Sequence, residues 1–315
     1  MQEHLEKQLT QRDSPPLHNI ASGEPPSFFF GPEGLRAGWR LAIYVLAYHL
    51  LRTVFAGITT ALTDSGQFTL WAFLVSETVL LAAAVVPAVC LAYMEERPFG
   101  AYGLPLRGAM ARLLGSGVIW GLGAITSLLL IMRLAGVFHI EGTALHGVRV
   151  MKFAVFWVTM FLVVALYEDF LYRGYSQFTL AQGIGYWPAA VVLSAIFGDI
   201  HLANPGENWV GALGAGCIGL FFCLTLRRTG SLWFAIGMHA AWDWGETFLY
   251  SVPDSGVVAP GHLLRSSLEG PKWLTGGPVG PEGSVLLFVL IAILWVVFDR
   301  AYPAKHLQES NRESS

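Results

Sequence analysis

The sequence predicts an all-α protein, a polytopic membrane bundle of about eight transmembrane helices. Hydrophobic residues form 54% of the 315-residue chain and charged residues 13%, against about 25% charged in soluble domains. Eight apolar stretches, most of them near the roughly 20 residues that cross a bilayer, are bounded by charges, glycine or proline. They are Trp39 to Leu62, Phe68 to Tyr93, Leu113 to Ala135, Phe153 to Leu180, Trp187 to His201, Trp209 to Leu226, Leu232 to Tyr250 and Ser284 to Phe298.

The remaining segments define the domain organisation. We expect a flexible cytoplasmic arm over residues 1–36, a transmembrane domain over 37–300 and a polar tail over 301–315. Within that domain, 251–283 is rich in glycine and proline, which predicts an extracytoplasmic loop without a fold of its own. Twelve Lys and Arg residues fall in segments assigned to the cytoplasm and five in those assigned outside, which places both termini in the cytoplasm.

Composition also excludes several classes of protein. The net charge of -3 and the scattered basic residues argue against a nucleic-acid partner. Cys90, Cys217 and Cys223 lie in apolar segments without a C-x-x-C spacing, so we expect neither a disulfide framework nor a thiolate metal site. The sequence has no internal repeat of the kind found in many transporters.

The fourth, fifth and seventh apolar stretches carry the ionisable residues that indicate a functional site. A charge at the bilayer centre costs about 2.5–3.5 kcal/mol on insertion scales, so such residues are retained mainly where they pair or act chemically. The stretches contain Glu168, Asp169 and Arg173, then His201, then His239 and Asp243. Histidines and carboxylates are the groups of hydrolytic catalysis, which favours a hydrolase with an active site inside the membrane.

The first cluster lies on the fourth predicted helix. Asp169 and Arg173 are four residues apart and share a helix face, whereas Glu168 points about 100° away. Arg173 can therefore neutralise Asp169 while Glu168 faces a cavity as a general base. The alternative is a purely structural ion pair that fixes helix packing.

The other two clusters lie on the fifth and seventh helices. His201 follows Phe197 by one turn, and a single histidine in an apolar helix is more often a hydrogen-bonded core residue than a ligand. Asp199, on the other side of that helix, either pairs with a histidine or faces the aqueous end. His239 and Asp243 share a face, and the flanking tryptophans are predicted to be packing or interfacial residues and not catalytic ones.

A metal is the main open question about this site. Glu168, His201 and His239 are also a possible set of ligands for a divalent cation such as zinc, because two imidazoles and one carboxylate form catalytic zinc sites. The sequence lacks H-E-x-x-H, so no single helix presents two histidines to a metal. No cofactor is predicted with certainty.

The ordered motifs resemble those of the CPBP family of intramembrane proteases. These motifs are Glu168-Asp169-Phe-Leu-Tyr-Arg173-Gly174, Phe197-x-x-x-His201 and His239-x-x-x-Asp243. The family includes type II CAAX prenyl endopeptidases and bacterial proteins linked to bacteriocin processing or self-immunity. The resemblance covers a protease-like core at 153–250, and it implies a multi-pass protein of a bacterial plasma membrane.

The resemblance also implies roles for individual residues. Glu168 and His201 correspond to the pair taken to activate water, and His239 and Asp243 to the pair taken to stabilise the oxyanion. Two positions differ from the family pattern: Asp169 stands where the family has Glu, and Asp243 where it has Asn. An ionised Asp243 cannot donate a hydrogen bond, so it must be protonated, bind a metal or orient His239.

We therefore predict an intramembrane endopeptidase that hydrolyses a peptide bond of a membrane-associated substrate with a water activated by Glu and His. Its expected partners are membrane lipids and a peptide or membrane-associated protein. One alternative is a non-catalytic immunity or scaffold protein. The other is a proton-coupled transporter, in which Glu77, His49 and Arg52 could extend a proton relay; Glu77 and Arg52 could instead form a packing pair.

Overall fold

The computed structural model describes residues 28–31, 34–62, 69–106 and 109–304, and most of the predicted arm and tail lies outside them. The described chain is mainly helical. Its helices are α1 (Ala37–Leu62), α2 (Leu70–Met94), α3 (Met110–Leu134), α4 (Val148–Asp169), α5 (Ser176–Ile184), α6 (Tyr186–His201), α7 (Trp209–Thr229), α8 (Trp233–Trp244), α9 (Lys272–Thr275) and α10 (Val285–Ala301). The strands are β1 (Phe30–Gly31), β2 (Gly34–Leu35), β3 (Phe138–Thr143) and β4 (Leu264–Leu268).

Five segments of the described chain are long and apolar enough to cross a membrane: Ala37–Thr60, Leu70–Met94, Met110–Leu134, Val148–Ile184 and Trp209–Thr229. The predicted helical membrane fold is therefore confirmed. The other three expected spans correspond to α6, α8 and α10, which have 16, 12 and 17 residues. At about 1.5 Å per residue they are shorter than a bilayer core, and the count of eight spans stays a prediction.

Large apolar side chains cover much of the outer surface of the bundle. Soluble monomers rarely expose large contiguous apolar areas. Contact with lipid explains the exposure of these side chains. Examples on four helices are Leu46, Leu50, Trp71, Ile119, Leu130, Val289 and Ile293. Both the apolar surface and the helix lengths therefore support an integral membrane protein.

The short helix α8 is mostly buried and docks against α3 through glycines. A Cβ atom added at Gly121 of α3 would lie 2.3 Å from the carbonyl oxygen of Met238, and one at Gly237 of α8 would lie 2.3 Å from that of Leu114. Only glycine permits this approach of two helix backbones, a device common in membrane proteins. This close contact with α3 fixes the position of α8, the helix that carries His239.

A kink separates α4 from α5. Residues Phe170–Tyr175 form a π-helical turn, and Gly174 has the non-helical torsions φ -82° and ψ -117°. A Cβ at Gly174 would lie 2.6 Å from the ring of Phe170. Single π turns of this kind occur frequently at functional sites, and this one directly follows Glu168 and Asp169.

The loop at 251–283 differs from its prediction, because it has regular structure. Strand β4 pairs antiparallel with β3, from Phe138 opposite Leu268 to Thr143 opposite Leu264, with a bulge between Ile140 and Gly142. The expectation that this loop has no fold of its own is wrong. Its glycines serve tight turns: Gly280 has φ 95°, and a Cβ there would lie 2.1 Å from the Pro253 carbonyl oxygen.

Candidate active site

Helices α4 and α8 bring two of the three predicted clusters together. Glu168 and Asp169 end α4, while His239 and Asp243 lie on α8, and the imidazole of His239 is the point at which they meet. Its Nδ1 lies 3.4 Å from Asp169 Oδ2, and its Nε2 lies 3.5 Å from Asp243 Oδ2 and 3.8 Å from Glu168 Oε2. One histidine is therefore surrounded by three carboxylates.

The two sides of the His239 ring differ in access. Asp169 is fully buried, whereas the side chains of Glu168 and His239 are 20% and 14% exposed. The Nε2 side of the ring therefore faces the more exposed carboxylate, that of Glu168. A water beside the line from Nε2 to Glu168 Oε2 could reach both atoms at about 2.8 Å, a normal hydrogen-bond length.

Asp169 links the histidine to a buried cation. Its Oδ1 accepts a hydrogen bond of 3.0 Å from Arg173 Nη1, and its Oδ2 faces His239. The predicted pairing of Asp169 with Arg173 is thus present. The structure adds that Asp169 lies next to Nδ1 of His239 and is placed to orient its ring. From the sequence, that orienting role was one of the options for Asp243.

Aromatic rings hold Arg173 in place. Its guanidinium carbon lies 4.1 Å from the ring centre of Phe197 on α6 and 5.6 Å from that of Phe222 on α7. A Cβ at Gly219 would lie 2.3 Å from Arg173 Nη2, so α7 leaves room for the cation only because that residue is glycine. The ring of Phe222 also lies against His239, with centres 5.8 Å apart.

His201 is placed differently from His239. Its Nδ1 donates a hydrogen bond of 2.6 Å to the Phe197 carbonyl oxygen, and its ring meets that of Phe197 at 4.5 Å. Because Nδ1 carries the proton in this bond, Nε2 of a neutral ring is an acceptor. Within the described residues, His201 forms no ion pair with Glu168 and no hydrogen bond with His239.

The surroundings of His201 also include Glu207, just beyond the end of α6. Burial raises the pKa of Glu207, and a hydrogen bond from the backbone nitrogen of Asn208 opposes that rise, with His201 close by. Asp199 is exposed on α6, which fits the second of its two predicted roles. Phe197 is the shared neighbour of His201 and Arg173, so His201 borders the cluster around Arg173 through an aromatic ring.

Other residues around the site are less directly involved. Glu77 of α2 lies near enough to Glu168 and Arg52 for their charges to act on it. The indole Nε1 of Trp244 donates to the Ala154 carbonyl oxygen at 3.1 Å, and Trp242 is buried. Both tryptophans pack, as predicted.

One acidic group was missed by the sequence analysis. In the part of the chain that the structure describes, the ligand atoms of Glu246, Asp254 and Glu282 lie within 4.8 Å of one another, and no other group of three His, Cys, Asp or Glu residues does so. The predicted metal set of Glu168, His201 and His239 is not such a group. The signal in the sequence was Glu246, a carboxylate inside an apolar stretch.

A comparison with protein families supports the motif assignment. Residues 150–245 match the family model described as type II CAAX prenyl endopeptidase Rce1-like. The matched segment contains all six predicted site residues and confirms the resemblance to this class of membrane proteases. No curated protein and no solved structure gives a significant match to the chain.

Proposed function

We propose that this protein is an intramembrane endopeptidase that hydrolyses a peptide bond of a membrane-associated substrate. The observation that carries the proposal is the convergence of Glu168, Asp169 and Asp243 on the imidazole of His239 at 3.4–3.8 Å. Two motifs far apart in the sequence thereby come together in one partly exposed cluster of side chains. The family match supports a protease over a transporter.

Glu168 is the proposed general base. It would take a proton from a water held between its carboxylate and the Nε2 side of His239, and the hydroxide would attack the scissile carbonyl carbon. Because Glu168 is only 20% exposed and ends an apolar helix, few other waters are expected to compete for its carboxylate. His201, with a free Nε2 in its neutral form, is proposed to help hold this water once substrate is bound.

His239 and Asp243 are proposed to stabilise the oxyanion. An imidazolium can donate from Nδ1 to Asp169 and from Nε2 to the developing negative oxygen. Asp243 can donate only while protonated. Asp169, held by Arg173, keeps the ring oriented. Glu168, His201 and His239, the metal ligands predicted from the sequence, do not form a group with ligand atoms within 4.8 Å of one another, so no step is assigned to a metal.

The proposed substrate class is a prenylated peptide ending in a CAAX sequence, on the basis of the family match. The direct test is cleavage of a farnesylated peptide by purified protein in liposomes, with the unprenylated peptide alongside and products identified by mass spectrometry. Cleavage of the farnesylated peptide alone is expected. Cleavage of both peptides at one rate would contradict the substrate class, and cleavage of no membrane peptide would contradict the peptidase.

A scaffold function is the competing proposal, favoured by the fully buried pair of Asp169 and Arg173.

The elemental content of the same purified protein tests whether a metal is bound. Loss of cleavage after chelation, with recovery on adding Zn²⁺, would support a catalytic metal. Full activity of metal-free protein would support water activation by side chains alone.

A further inference from the structure

The acidic group of Glu246, Asp254 and Glu282 lies outside the proposed catalytic set and comes from three separate segments. Glu246 is in the turn that follows α8, Asp254 is in the loop after it, and Glu282 lies just before α10. One carboxylate oxygen from each lies within 4.8 Å of the other two. Among the described residues, none of the three forms an ion pair with Lys or Arg.

Glu246 is the member that points to a ligand. It is completely buried, and neither of its carboxylate oxygens has a hydrogen-bond partner. The indole of Trp242, one turn earlier, approaches it without forming a hydrogen bond of normal geometry. A buried carboxylate without a partner is strongly unfavourable unless a cation or a proton compensates it.

The other two carboxylates are already oriented by neighbouring donors. Thr247 Oγ1 donates to Asp254 Oδ2 at 2.9 Å. The backbone nitrogen and Oγ of Ser255 donate to Glu282 Oε2 at 3.1 and 2.5 Å. Such hydrogen bonds to ligating carboxylates are typical of built metal sites, because they fix the direction of the ligand oxygens.

The backbone around the group is also held in place. The nitrogen of Gly256 donates to the Val279 carbonyl oxygen at 3.0 Å, and Asp254 pairs with Val257 in an isolated β-bridge. The close approach of Gly280 to the Pro253 carbonyl, which excludes any Cβ, joins the same two segments. The three carboxylates are therefore positioned before any ligand arrives.

We propose that Glu246, Asp254 and Glu282 bind a hard divalent cation, with Ca²⁺ as the best match. The ligand atoms are all carboxylate oxygens, which suit Ca²⁺, Mg²⁺ and Mn²⁺ rather than a metal that prefers nitrogen or sulfur. Three carboxylates provide three to six ligand oxygens. Ca²⁺ takes six to eight oxygen ligands, and water can supply the rest. In the predicted topology the site faces outside, where Ca²⁺ is abundant.

The bound cation would fasten the 251–283 loop and the start of α10 to the end of α8. That helix carries His239 and Asp243, and the charges of both act on Asp254. The cation site therefore borders the proposed catalytic pocket and would stabilise the end of the helix that forms it. Binding itself does not depend on peptidase activity.

The test is Ca²⁺ binding by detergent-purified protein stripped with EDTA, measured by calorimetry. Glu246→Gln and Glu282→Gln are each expected to weaken binding about tenfold or more, because affinity follows the charge of the ligands. The exposed Glu269 provides the matched control Glu269→Gln, which should bind as wild type does. Glu168→Gln should also bind normally, which separates this site from the proposed function.

A second measurement avoids variants altogether. Tb³⁺ should bind the wild-type site and emit when nearby tryptophans are excited, and Ca²⁺ should quench that emission by displacement. No Ca²⁺ binding by wild-type protein would overturn the proposal and favour a group held by shared protons. Equal affinity in wild type, Glu246→Gln and Glu282→Gln would also overturn it.

Discussion

The buried pair of Asp169 and Arg173 leads to a prediction that separates stability from catalysis. The two side chains are 0% and 1% exposed and are joined by a hydrogen bond of 3.0 Å. In Asp169→Ala the guanidinium would stay buried among Phe197, Phe222 and α7 without its carboxylate. His239 would lose the group at its Nδ1.

The magnitude follows from the burial. Removing one partner of a buried ion pair costs about 3–5 kcal/mol, because the remaining charge is neither solvated nor paired. Replacing both partners with apolar residues of similar size is often neutral. The double variant Asp169→Leu with Arg173→Met should therefore unfold with nearly the wild-type free energy. It should still lack peptidase activity, because nothing then orients His239.

The assay is equilibrium unfolding in mixed detergent micelles, followed by tryptophan fluorescence, with peptide cleavage measured on the same preparations. A loss of no more than about 1 kcal/mol in the unfolding free energy of Asp169→Ala, the value of an exposed pair, would refute the stability prediction. Wild-type cleavage by the double variant would refute the orienting role of Asp169 while leaving the stability argument intact.

Two further predictions concern α8. Asp243→Asn should keep or raise activity and should extend it to higher pH. The reason is that an amide donates to the oxyanion at any pH, whereas a carboxyl group donates only while it is protonated. A pH profile of cleavage that is unchanged by the substitution would exclude donation by Asp243. Gly237→Ala should destabilise the fold by about 1–3 kcal/mol through overpacking, because its Cβ would lie 2.3 Å from the Leu114 carbonyl oxygen. The control Gly123→Ala places its Cβ with no atom within 4 Å and should not destabilise the fold. Equal unfolding midpoints for the two variants would contradict the packing argument.

Contacts within one helix were predictable from spacing. Asp169 with Arg173 and His239 with Asp243 are both four residues apart, and both pairs are close in the structure. The contact of Asp169 with His239 was not predictable, because it depends on how α4 and α8 dock. The position of α8 is in turn set by its close approach to α3 at glycines, which sequence spacing does not reveal.

The loop at 251–283 shows why composition can mislead. Glycine and proline indicate irregular backbone, and they do not distinguish a loose linker from tight turns that need positive φ. Strand β4 pairs with β3 across more than a hundred residues of sequence, a contact that no local pattern encodes. Glu246 was readable as an acid in an apolar stretch, but its two partners were not.

The central claim is that Glu168 activates a water for peptide-bond hydrolysis inside the membrane. The most direct measurement is the single-turnover cleavage rate of a membrane peptide in liposomes for wild type, Glu168→Gln and the control Glu141→Gln, an exposed residue of β3. Loss of a general base should slow Glu168→Gln by about 10²–10⁴-fold, with Glu141→Gln at the wild-type rate. Cleavage by correctly folded Glu168→Gln protein at the wild-type rate would contradict the account.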